Sequence, residues 1–138
     1  MKALSVKNPW AELIACGRKT IELRTWQTSY RGPIVIVSSA SPSTDFEAKA
    51  WLRMNVGRLQ SPRFSRAVAL VELVGIRPAQ RSDAYDACCR PGPRDFAWEL
   101  RLLKSLEVDI HVIGKQSLYT PPLALIEAVR VACKHSMA

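Results

Sequence analysis

A chain of 138 residues, 48% hydrophobic and 23% charged, fits one packed domain spanning 1–138 and is too apolar to be disordered. No apolar run nears the roughly 18 residues of a membrane span, and the N-terminus MKALSVKNPW lacks the pattern of a secretory signal. The formal net charge of +8 is uneven: residues 1–66 carry 11 Lys and Arg against 4 Asp and Glu, residues 67–138 carry 9 against 8. Such an excess fits a face that attracts a polyanion such as nucleic acid, and equally a solvated surface that aids solubility.

In chain order, Asn8-Pro9 opens a helix, with Asn as cap and Pro at the first helical position. Trp10, Leu13 and Ile14 share its apolar face, and Gly17 ends it. Lys19 to Trp26 alternates like a strand, with Lys19, Ile21 and Leu23 on one parity and Thr20, Glu22, Arg24 and Trp26 on the other. After the Tyr30-Arg31-Gly32-Pro33 turn, Ile34 to Val37 is apolar on both faces and reads as an interior strand. Thr44-Asp45-Phe46-Glu47 has the form of a capping box for a helix running to about Asn55, with Trp51, on the same helix as Phe46, assigned to the core.

Arg58 to Arg66 is a basic loop, and Ala67 to Ile76 a long strand. Ser82 to Cys89 is a short helix stopped by Arg90-Pro91-Gly92-Pro93-Arg94. Phe96 to Leu100 and His111 to Ile113 read as further strands. Thr120-Pro121-Pro122 starts a C-terminal helix with Leu123, Ile126, Val129 and Cys133 buried. Short strands interleaved with short helices give an α+β class with a mixed barrel.

Cys16, Cys88, Cys89 and Cys133 include no Cys-x-x-Cys pair, so a reduced, cytoplasmic protein is expected. A zinc site would require Cys88, Cys89, His111, Cys133 and His135 to converge from distant segments; no metal and no cofactor is expected. Arg24, Arg31, Arg53, Arg58, Arg63 and Arg66 would form a phosphate track if they shared a face, with a log–log salt slope of about −4 to −5.

The most informative stretch is Gly17 to Arg24, where Lys19, Glu22 and Arg24 follow a helix-ending glycine. A cation, a carboxylate and a guanidinium so close together either pair on the surface or line a ligand site. Trp10 and then Trp98 are the candidates for stacking on a base.

Asn-Pro-Trp at 8–10, Gly-x-Lys-Thr-x-Glu-x-Arg at 17–24, Tyr-Arg-Gly at 30–32, Phe-Ala-Trp at 96–98 and Gly-Lys-Gln-x-Leu-Tyr at 114–119 together resemble the ASCH family. The resemblance implies a PUA-like mixed β-barrel flanked by short helices, with a basic cleft lined by the first motif. It implies an RNA or nucleotide-like partner and no membrane. The ligand-binding residues it points to are Trp10, Lys19, Thr20, Glu22, Arg24, Arg31, Trp98 and Lys115.

The family includes RNA-associated domains, an N4-acetylcytidine amidohydrolase and a ribonuclease. A hydrolase of a modified nucleoside or of RNA is therefore the alternative, with Lys19 and Glu22 as the reacting pair. The amidohydrolase has its catalytic threonine where this chain has Glu22, which favours binding over hydrolysis.

Overall fold

The computed structural model describes residues 1–54, 59 and 61–135. Arg58, the expected helix end at Asn55 and the side chain of His135 lie outside the described set. In chain order the elements are β1 (Lys2–Val6), α1 (Trp10–Ala15), β2 (Ile21–Arg24), β3 (Gly32–Ser38), α2 (Phe46–Arg53) and β4 (Ala67–Pro78). A 3-10 turn (Arg81–Asp83), α3 (Ala84–Ala87), β5 (Phe96–Ser105) and α4 (Leu123–His135) complete them.

The strands form one mixed sheet in the order β1-β3-β4-β5-β2. β1 runs parallel to β3, and every other pair is antiparallel. Its register slips at Ile36/Val37, Leu70/Val71 and Leu73/Gly75. Each slip adds a residue to one strand, which bends it and increases the local twist. Val74, one of the extra residues, is 55% exposed on the outside of a bend.

Period-two alternation distributes the core. Leu4, Val6, Ile34, Ile36, Val71, Leu73 and Trp98 face one side, where Ala11, Ile14 and Ala15 of α1 cover them. Ala3, Val35, Val37 and Ala67 face the other, covered by Leu106, Val112, Tyr119, Leu125 and Val129. β3 is therefore buried on both faces, as its unbroken apolar run requires. Each of its four central side chains contributes roughly 1.5–3 kcal/mol by leaving water.

Several expectations differ from the structure. β1 carries no clear sequence signal, since KALSV is short and apolar only at alternate positions. No strand forms at His111 to Ile113. That stretch is instead part of an arm from Glu107 to Pro122, pinned by Val112 N–H donating to Ser65 O (2.8 Å) and by backbone bonds between Ala3 and Tyr119. In α4, Leu123 is 77% exposed, whereas Leu125 and Val129, one turn apart, are buried. The capping box does not close: the Glu47 carboxylate accepts from the Arg90 amide instead.

The basic loop is tied down by an ion pair. Glu12, on the inward face of α1, is 0% exposed. It accepts from Arg63 Nε (2.9 Å), Nη2 (2.7 Å) and backbone N (2.8 Å), while Arg63 Nη1 donates to Leu106 O. Asn8 completes the knot: its Oδ1 accepts from Glu12 N and its Nδ2 donates to Arg63 O at 2.6 Å.

A second ion pair sits at the far end of β4, where Arg77 grips Asp83 with two bonds of 2.8 Å. Those bonds, opposed by burial and helped by the Gln80 amide, hold the Asp83 carboxyl below its ordinary value of 3.8. A carboxyl whose folded pKa is depressed stabilises the fold above its unfolded pKa, and that contribution is lost as pH falls through the folded pKa. Asp83→Asn is therefore expected to be less stable than wild type at pH 7. The gap should shrink below about pH 4, measured by urea unfolding across pH 2–7.

Candidate functional site: a cleft between the sheet edges

β1 and β2 are the two edges of the sheet and share no backbone ladder. Arg24 spans the gap, its Nη2 donating to Ser5 O at 2.9 Å. Beside that bridge lies a cleft of about 730 Å³, a size suited to a small organic ligand.

The turn after α1 places its central cation. Gly17 adopts φ +85°, a conformation that favours glycine. This lets the amides of Arg18 and Lys19 both donate to Leu13 O at 3.0 Å. Arg18 braces the turn from outside: its guanidinium lies 3.8 Å from the Tyr85 ring centroid and donates to Tyr85 O at 2.7 Å. Lys19 then points inward at 2% exposure, its Nζ donating to Ala87 O at 2.5 Å, at the end of α3. The ammonium stands 3.5 Å from Glu22 Oε1 and 5.3 Å from the Trp10 ring centroid.

Glu22 is the hinge of this cluster. Its Oε1 faces Lys19 and its Oε2 accepts from Arg24 at 2.8 and 3.0 Å. Burial acts to raise its pKa, but the charges and hydrogen bonds of Arg24 and Lys19 prevail and hold it below the ordinary 4.5. One carboxylate thus serves two cations, and the group keeps a surplus positive charge at the cleft wall.

Five of the expected ligand residues line the cleft: Trp10, Lys19, Glu22, Arg24 and Lys115. Three do not. Trp98 is 0% exposed, packs edge-on against Trp26 at 4.7 Å and donates to Trp26 O. Thr20 is fixed through its backbone to Asp86 and Leu100 with its side chain outside. Arg31 is exposed and folds onto Thr28 O and Tyr30 O.

The cleft is mixed rather than simply basic. Lys7, Lys19, Arg24, Arg90 and Lys115 face Glu22, Asp45, Glu47 and Asp95. The imagined phosphate track is broken, because Arg24, Arg63 and Arg66 are each committed to a carboxylate.

Ser5, Asp45, Phe46, Glu47, Cys89 and Asp95 also line the cleft and were not among the expected ligand-binding residues. Asp45-Phe46-Glu47 carried a signal only as a helix start, and Cys89 only as one of several scattered cysteines. The Cys89 thiol is pushed up to about 11 by burial, so it is a weak nucleophile at neutral pH. Among the described residues no group of three His, Cys, Asp or Glu could hold a metal ion, and no helix is long and apolar enough to cross a membrane.

The ASCH domain model matches residues 4–109. No curated protein matches. Among solved structures, an ASCH protein from Zymomonas mobilis is 13% identical with a TM-score of 0.56, covering 94% of this chain and 93% of that one. A mutant of the Zymomonas mobilis protein is 14% identical with a TM-score of 0.53, covering 94% and 96%. At such identities the likeness bears on the fold alone, a curled five-stranded half-barrel flanked by short helices.

Proposed function

The chain belongs to the ASCH domain family, and from that premise we propose that its cleft binds RNA or a nucleotide-like ligand. The observation that carries the reading is the charge imbalance at Lys19, Glu22 and Arg24. Two cations and one carboxylate are held out of water, with side-chain exposures of 1% for Lys19, 8% for Glu22 and 23% for Arg24. A desolvated cation without a full counter-charge is costly, and an anionic or carbonyl oxygen from a ligand relieves that cost. Phosphate and base carbonyls both provide such an oxygen. Trp10, beside the ammonium, provides an aromatic surface for a base.

The same geometry argues against Lys19 and Glu22 as a reacting pair. Both oxygens of Glu22 are engaged by cations, and a carboxyl held below its usual range is a poor proton acceptor. Binding without turnover is the expected behaviour.

Labelled single-stranded RNA titrated by fluorescence anisotropy tests this. With Lys7, Arg90 and Lys115 as the cleft cations that have no ion-pair partner among the described residues, about three phosphates are contacted. The log–log salt slope should then be about −2. Lys19→Met should weaken binding at least tenfold with the fold intact, and Arg31→Ala should leave it unchanged. Equal binding by Lys19→Met, or deacetylation of N4-acetylcytidine by the wild type, would contradict the reading.

A further inference from the structure

Resting on the cleft as the site of a nucleotide-like ligand, we propose that Phe46 is a second stacking plate. It takes the base next to the one held beside Trp10, and the preferred ligand is a strand rather than a free nucleoside. Phe46 opens α2 and lines the cleft, yet it is 80% exposed, more than any other large hydrophobic among the described residues.

Helix packing does not explain its position. Ala48 of α2 is fully buried, and Trp51 packs with Leu13, Leu59 and Cys88. Phe46 is two residues from the first and five from the second, rotated well away from both. A flat apolar ring is therefore held in water at the rim of a ligand cleft, with no protein surface to cover it.

The groups around the ring favour a base over a phosphate. Asp45 and Glu47 flank Phe46 and also line the cleft, and their carboxylates repel a phosphate while accepting from base amino groups. Glu47 is fixed in place by the Arg90 amide. Of the three cations counted for phosphate, Arg90 lies by Glu47, and the other two lie on the β1 side, where Lys7 follows the strand and the Lys115 amide donates to Ser5 Oγ at 3.3 Å. The cleft thus has half-buried aromatics at Trp10 and at Trp26, the latter packed edge-on against Trp98, an exposed one at Phe46, and cations along another part of its mouth. One base leaves Phe46 unused; two consecutive bases use both rings.

The test compares the four nucleoside monophosphates with the four homotrinucleotides, titrated against wild type, Phe46→Ala and Phe46→Trp. Because Phe46 is exposed, these variants should melt within a degree or two of wild type. Phe46→Ala should weaken the best-bound trinucleotide about 5- to 150-fold, the range of one lost base stack, and leave monophosphates unchanged. Phe46→Trp should retain trinucleotide binding. Trinucleotide binding unchanged in Phe46→Ala overturns the proposal while leaving the cleft reading intact. Equal loss for monophosphates and trinucleotides overturns the strand assignment and puts Phe46 in the primary pocket. Failure of the wild type to bind either class overturns both readings, as does undiminished binding of both by Lys19→Met.

Discussion

Glu22→Gln is expected to lower stability by about 3–5 kcal/mol at pH 7, the usual cost of leaving a buried charge without its partner. Glutamine keeps the shape and removes the charge, so Lys19, with its side chain 1% exposed, faces a neutral amide, and Arg24 retains only a weaker neutral acceptor there. The pH dependence carries the same signature. The folded Glu22 pKa lies below the ordinary 4.5, so its contribution is full above that pH and disappears as pH falls through the folded value. Urea unfolding should show the wild-type advantage over Glu22→Gln at pH 7 fading below about pH 4. A loss under 1 kcal/mol at pH 7 would mean that the two cations do not depend on this carboxylate.

Arg63→Ala should cost a similar amount, about 3–5 kcal/mol, for a different reason. It strips a fully buried Glu12 of two side-chain hydrogen bonds and its cation, and leaves Leu106 O without the Nη1 donor. A double variant, Glu12→Leu with Arg63→Met, separates this from general damage. Replacing a buried ion pair with apolar groups of similar volume is often neutral or better, so the double variant should recover most of the loss, with RNA binding unchanged. A double variant as unstable as Arg63→Ala would contradict the assignment. The pair also bears on how the charge of the first half is used: Arg63 anchors a loop and is not spread on a surface for a polyanion.

The sequence was most legible where one local rule decides the outcome. The Gly17 turn and the doubly buried run at Ile34 to Val37 follow from glycine conformation and an unbroken apolar stretch, whereas Lys19 meets Glu22 against the strand parity because β2 begins only at Ile21. Residues whose role depends on distant partners were not legible. Arg63 and Glu12 are 51 residues apart, and the Glu47 carboxylate is drawn from its own helix start by an amide 43 residues away. Trp98, expected at the cleft, is in the core for the same reason, and the exposure of Phe46 was not legible either. β5 runs through the middle of the core and buries Trp98, whereas α2 packs through Ala48 and Trp51 and leaves Phe46 outside.

Ligand binding at the Lys19, Glu22 and Arg24 wall is tested most directly by amide and indole chemical-shift mapping of the isotope-labelled protein during titration with short single-stranded RNA. Saturable shifts are expected at the Trp10 indole, at the amides of Lys19 to Arg24 and of Lys115 to Ser117, with little change at the Trp98 indole or Arg31. Shifts confined to α4 or the outer face of β4, or none at saturating RNA, would contradict binding at that wall.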